Sequence, residues 1–207
     1  MALPQVNTPT YELAVPSTDE KIKYRPFLVK EEKILLIAME AQEQSGILNA
    51  VKDIVKSCTF DKFDVNKAPI FDIEYIFLNI RAKSVGEVST VNLRCPDDNE
   101  TFVQTDIDLT KVDVQLTKGH TNKIELTDEM GMIMTYPTLD SFTDSTTVIN
   151  ASNMLDVIAS CVAQIYDKKG EDVYDAKDST KQEIVDFIES LNSKQFKEIQ
   201  NFFDTSP

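Results

Sequence analysis

The sequence predicts an α+β fold, and three observations carry that prediction. Apolar residues recur at helical spacing over most of the stretch between Val29 and Gly86. From Glu87 the period drops to two, with alternating runs on either side of PDDN, Pro96 to Asn99, a strong turn signal. Towards the C-terminus, from Met154 onwards, helical spacing returns. In order, these give an N-terminal hairpin and helices, a central buried helix, an antiparallel β layer and C-terminal helices. The parts run 1–86, 87–137 and 138–207, folded as one or two compact domains.

The first part opens with two short strand-like runs, YELAV (Tyr11–Val15) and KIKYRPF (Lys21–Phe27), joined by the turn-rich link PSTDE. Val29 to Ala41 is rich in Lys, Glu, Leu and Ile and predicts a helix. Ile47, Val51, Ile54, Val55 and Cys58 keep helical spacing, so a second helix is expected after Gly46.

The central stretch FDIEYIFLNIRAKSVGEV, Phe71 to Val88, is densely apolar but carries spaced polar groups. Projected at about 100° per residue, Asp72, Asn79 and Lys83 share one narrow stripe, and Glu74 and Arg81 share the opposite one. Ile73, Ile76, Phe77 and Ile80 fill one face between them; Phe71, Tyr75, Leu78 and Ala82 fill the other. A one-sided surface helix lacks this pattern, and a membrane helix does not carry five such polar groups. The pattern fits a helix packed between two layers along two thin polar seams. Pro69 is tolerated in a first turn, and Gly86 is a plausible stop.

In the β part, VSTVNLRC and TFVQTDIDL flank the PDDN turn, and NKIEL (Asn122–Leu126) with MGMIMTYP (Met130–Pro137) reads as another strand pair. Beyond it, Met154, Leu155, Ile158, Cys161, Val162 and Ile165 form one helical face, and Tyr166–Asp178 is a loop or small hairpin around Gly170. Ile184, Phe187, Ile188 and Leu191 mark a helix opened by a capping box, Ser179 with Gln182 or Thr180 with Glu183. Phe196, Ile199, Phe202 and Phe203 mark the last helix, entered through Asn192–Ser193.

The formal net charge is -14 over 207 residues. Residues 1–90 hold 11 basic and 13 acidic residues, and residues 91–207 hold 10 and 22, so nearly all the excess lies in the second stretch. Such a surface repels phosphate backbones, which argues against nucleic acid as a partner, and it speeds encounter with a basic protein patch. The N-terminus has no basic start and no apolar segment of the signal-peptide kind. The longest apolar run, ILLIAM from Ile34, is too short for a bilayer. A soluble intracellular product, with no membrane partner, is expected.

Catalytic signatures are absent: no HExxH, Walker A or GxGxxG motif occurs. The single histidine, His120 in TKGHTN, reads as a surface or turn residue. The odd count and wide spacing of Cys58, Cys95 and Cys161 give neither a disulfide framework nor a zinc site. Asp97–Asp98 and Glu171–Asp172 lack the EF-hand pattern and read as solvated turn residues. No metal, cofactor or small-molecule ligand is expected.

Candidate contact residues remain. Arg81 either forms an ion pair with Glu74 or the β layer, which is the favoured reading, or meets a partner subunit. Phe202 and Phe203 close the last helix pair, or anchor another protein where exposed. Glu171, Asp172 and Asp175 form an acidic cluster able to steer a basic partner.

The stretch FDIEYIFLNIRAKSVGEV running into VSTVNLRCPDDNET resembles a family of baseplate hub proteins, or baseplate hub assembly proteins, of T-even-type contractile-tailed phages. The opening TYELAVPSTDEKIKYRPFLVKEEKILLIAME and the ending DVYDAKDSTKQEIVDFIESLNSKQFKEIQNFF fit the same family, so the likeness covers nearly the whole chain. The resemblance implies a non-enzymatic structural or assembly role, with other tail baseplate hub proteins as partners. The place of work would be the host cytoplasm during assembly or the tail of the virion. An assembly chaperone that leaves the particle, an acidic host-directed regulator and a metal-dependent enzyme are the alternatives. LRCPDDNET resembles half of a zinc ribbon, and the family resemblance implies a fuller cysteine pattern there in some relatives. Cys95 stands alone in this chain, so metal binding does not carry over.

Overall fold

The computed structural model describes residues 6–139, 153–167 and 172–207. The chain divides into two compact units, Met1–Val114 and Gln115–Pro207. The boundary falls inside the 87–137 stretch, whose strands go to two separate sheets.

In the first unit, β1 (Tyr11–Ala14) and β2 (Lys21–Tyr24) form an antiparallel hairpin. Three helices follow: α1 (Val29–Ala41), α2 (Gln44–Cys58) and α3 (Ile70–Val85). Helix α2 begins two residues before the expected Gly46, and Pro69 caps α3 rather than lying in its first turn. The core gathers Ile22 and Tyr24 from β2, Ile54, Val55 and Cys58 from α2, and Ile73, Ile76 and Ile80 from α3. Helix α3 has buried or half-buried side chains at all but Glu74 and Val85, so it is the central helix its two apolar faces predict.

The polar stripe of α3 follows the first hairpin. Asp72 accepts hydrogen bonds from the backbone N–H of Ser17, at 3.0 Å, and from the Ser17 hydroxyl, in the β1–β2 turn. Lys83, about three turns along, lies 5.3 Å from the ring centre of Tyr11 and pairs with Glu87. A hydrogen bond from the Phe27 N–H to the Ser84 hydroxyl, 2.9 Å, ties down the chain leaving β2.

The unit ends in a second hairpin, β3 (Val88–Arg94) and β4 (Phe102–Asp108), in unbroken register from Val88 opposite Asp108 to Arg94 opposite Phe102. Its base is held by a 3-10 turn, Leu109–Lys111, which packs on α3 through buried Leu109.

In the second unit a four-stranded antiparallel sheet runs in the order β5 (Lys123–Glu125), β6 (Met130–Met134), β7 (Val162–Asp167), β8 (Val173–Asp175). Its helices are α4 (Met154–Ser160), α5 (Lys181–Glu189) and α6 (Ser193–Thr205). Met132 and Met134 from β6, Ile158 from α4, Ile188 from α5 and Ile199 and Phe202 from α6 share one core.

Strand β7 corrects the sequence reading, which extended one helix from Met154 through Ile165. The helix stops at Ser160, and Val162–Asp167 pairs with β6. From Val162 onward the apolar residues Val162, Ile165 and Tyr166 keep helical spacing and do not alternate, but ladder hydrogen bonds to β6 favour the strand. Gly131 and Tyr166 face each other across β6 and β7. A Cβ on Gly131 would sit 2.2 Å from the Tyr166 hydroxyl oxygen and 2.7 Å from the Ile124 carbonyl oxygen, so the ring occupies the space a side chain would fill.

The capping box resolves to Thr180 with Glu183, and Asn192 with Gln195 makes the equivalent box for α6. Gly170 lies outside the described residues.

Candidate protein-contact surfaces

The β3–β4 hairpin is a two-stranded ribbon, with each strand packed chiefly on the other. Neither outer edge pairs with another strand among the described residues. Alternation sorts its side chains onto two faces. One face carries the facing pairs Ser89–Ile107, Val91–Thr105 and Leu93–Val103. Near the base these are half-buried, but Leu93 and Val103 are 51% and 52% exposed. On the other face Phe102 is 59% exposed, with the Arg94 guanidinium 5.5 Å from its ring centre. A lone hairpin has little stability of its own in water, and apolar rows of this kind are normally packed against something.

The tip is an acidic turn closed by its own hydrogen bonds. Asp98 accepts from the N–H groups of Glu100 and Thr101, each at 3.0 Å, and from the Thr101 hydroxyl. Led by the Thr101 hydroxyl, these donors hold its carboxyl down at about 2. Asn99 takes the left-handed conformation, φ 55, that such a turn requires. The Asp98 oxygens are thus engaged by the turn itself. Among the described residues, no group of three or more His, Cys, Asp or Glu residues is placed to hold a metal.

Helix α1 is the second uncovered surface. It packs on α2, yet Val29, Ile34, Leu36, Ile37 and Met39 are all exposed. Its one fully buried residue is an acid, Glu31. The Glu31 carboxylate accepts from the Arg25 guanidinium at 2.9 Å, the Ser57 hydroxyl at 3.1 Å and the Leu28 N–H at 2.8 Å. Burial raises its pKa, but the guanidinium, the N–H and the hydroxyl outweigh that and bring it to about 2. Arg25 also reaches the Ser57 hydroxyl at 3.0 Å, and the Arg25 N–H donates to the Cys58 carbonyl at 3.0 Å. This network joins the end of β2, the start of α1 and the end of α2.

The residues singled out from sequence do not converge on one site. Arg81 is half-buried on α3, and its side chain makes no hydrogen bond or ion pair among the described residues, so the favoured pairing with Glu74 or with the β layer is not found there. Asp172 and Asp175 are exposed at β8, where Asp175 accepts from the Gln164 amide at 2.7 Å. Glu171 lies outside the described residues. Phe202 is buried and takes the core placement, while Phe203 is half-buried. Phe203 lines a cleft of about 370 Å³ with Met154, Val157, Ile158, Gln200 and Asp204, between α4 and α6. Cys58 and Cys161 are core thiols, each pushed up to about 11 by burial.

His120 sits in a turn as expected, but its ring is half-buried between Tyr136 and Phe202, with ring centres 5.6 and 5.1 Å away. The Thr205 hydroxyl donates to the Asn201 carbonyl at 2.7 Å, so its oxygen is left to accept from Nδ1 of His120 at 2.9 Å. Nothing local to TKGHTN signals this, because Thr205 is 85 residues away in sequence. The exposed apolar residues of α1 were equally hidden, since an apolar run gives no sign of which side will be covered.

A family model described as T4 bacteriophage base plate protein matches residues 8–207 of the chain. No curated protein and no solved structure matches it.

Proposed function

Because the chain belongs to the T4 bacteriophage base plate protein family, we propose that it helps build the central hub of a phage tail baseplate, acting through protein contact rather than catalysis. The observation that carries this reading is the β3–β4 arm, which leaves Leu93, Val103 and Phe102 uncovered at its far end. A hub protein laid against the arm would cover the Leu93–Val103 face and pair with a free strand edge, leaving Phe102 for a contact on the opposite face. The acidic tip, with Asp97, Asp98 and Glu100, would orient the arm towards a basic surface.

A structural subunit and an assembly chaperone use the same contact and differ in whether it persists. Protein gels of purified particles separate them: a fixed copy number marks a subunit, and absence from the particle marks a chaperone. The contact itself is tested by affinity capture of the tagged chain from infected cells, read by mass spectrometry. The native chain should bring down tail hub proteins, and Leu93→Ser combined with Val103→Ser should lose them. Recovery of host proteins alone, or capture unchanged by the double substitution, would overturn the reading.

A further inference from the structure

The outward side of α1 has a charge pattern with its own consequence. With Glu31 turned inward, Leu36, Val29, Glu40, Lys33 and Ile37 fall in that order within an arc of about 100° on the outer side. Val29 is 80% exposed, Leu36 54% and Ile37 56%. Lys33 and Glu40 are exposed between them, and neither forms an ion pair among the described residues. The point midway between these two opposite charges falls between Leu36 and Ile37.

The geometry points to a second copy of this chain as the occupant of that face, docked through α1 in an antiparallel, two-fold symmetric pair. A two-fold axis between Leu36 and Ile37 makes every contact twice. Lys33 of each copy then meets Glu40 of the other. Leu36 packs beside Leu36 on one side of the axis, and Ile37 beside Ile37 on the other. A parallel pair would set Lys33 against Lys33 and Glu40 against Glu40, so the charges select the antiparallel arrangement. The helix has 13 residues, about 20 Å. That is short for a standard interface of about 800 Å² per partner, so the pair forms in a concentration-dependent way. Self-association needs no hub protein, and the inference stands apart from the hub reading.

The test is sedimentation velocity on the purified full-length chain across the micromolar range. The native chain should pass from monomer to dimer as concentration rises. Lys33→Glu and Glu40→Lys should each weaken the dimer by about tenfold or more, and the two together, with the charges exchanged, should restore it. Leu36→Glu should abolish it; circular dichroism checks that fold, and the charge exchange, confined to exposed side chains, decides the matter if that variant misfolds. A monomer at every concentration would overturn the inference. So would a dimer indifferent to the single charge reversals, or one that the exchange fails to restore.

Discussion

The two units dispose of their apolar residues differently. In Gln115–Pro207 the large apolar residues left exposed are Leu116, Val173 and Tyr174, among those described. In Met1–Val114 they include five residues of α1 and Val88, Leu93, Phe102 and Val103 of the β arm. Both units have a buried core of Ile, Val and other apolar side chains. The difference is therefore in what lies outside the core. Helix α1 and the arm are each held at one end, by the Glu31–Arg25 pair and by Leu109 packed against α3, and each leaves several large apolar side chains exposed beyond it. A unit built this way has stable attachment points and surfaces still to be covered, whereas the described residues of the second unit have largely covered their own.

Truncation in the core and truncation on the uncovered surfaces should differ most in their effect on stability. Ile80→Ala in α3 and Ile199→Ala in α6, both fully buried, should each lower the unfolding free energy by roughly 2–5 kcal/mol in urea titration. Ile37→Ala and Val103→Ala should lower it by under about 0.5 kcal/mol. Equal losses at the two kinds of position would mean that α1 and the arm belong to the core after all.

The next largest effect is at Glu31. Removing one member of a buried charged pair leaves the other uncompensated, so Glu31→Gln should cost about 3 kcal/mol at neutral pH. The pH dependence has a definite sign. The folded carboxyl titrates at about 2, below its ordinary value of 4.5, so its stabilisation is present above about 4.5 and is lost as pH falls towards 2. Thermal melts from pH 7 to pH 2 should show that acid loss in the native chain and a shallower one in the variant. Asp72 acts in the opposite sense. Burial raises its pKa despite the two bonds from Ser17, so its contribution diminishes as pH rises through the folded value. The melts of Asp72→Asn should therefore retain the acid loss.

A smaller effect is expected in the second unit at Gly131. A methyl group there displaces the Tyr166 ring and meets the Ile124 carbonyl, and Gly131→Ala should cost about 1–3 kcal/mol. Melting curves with Tyr166→Ala in the same chain sharpen this, because removing the ring should relieve part of the penalty.

The smallest effect is on the exposed charges of the second unit. Neutralising Asp172 and Asp175 with Glu171 should leave stability unchanged and slow association with a basic partner, with salt doing the same over about 8–10 Å. Phe203→Ala should instead raise the off-rate if the cleft between α4 and α6 holds a partner. Stopped-flow binding to purified hub proteins across a salt series reads both. Salt-independent rates would remove the steering role.

Much of the architecture was legible because it depends on local pattern. The two-faced character of α3, the PDDN hairpin and the Thr180–Glu183 cap are all written within a few residues of one another. What escaped reading depends on distant partners. Val162–Asp167 is a strand because β6, about 30 residues earlier, offers a ladder. Asp72 is buried because Ser17, 55 residues away, supplies two donors. Glu31 resembles any solvent-facing acid in a Lys- and Glu-rich helix until Arg25 and Ser57 are brought to it. The candidate contact residues fared similarly: charge density picked out Asp172 and Asp175, but apolar content could not say that α1 would be left open.

The Arg25–Glu31–Ser57 network has a consequence for how α1 is oriented about its own axis. A helix with apolar residues on nearly every side could roll on its neighbour and bury one set of leucines and isoleucines as well as another. Hydrophobic burial alone therefore leaves its rotational setting nearly degenerate. The carboxylate of Glu31 removes that degeneracy, because only one rotation brings it to the guanidinium of Arg25 and the hydroxyl of Ser57. Every other rotation strands a charge away from its partner. One acidic side chain in the first turn thus decides which apolar residues face the core and which are presented outward, and replacing it with leucine would free the helix to present a different face.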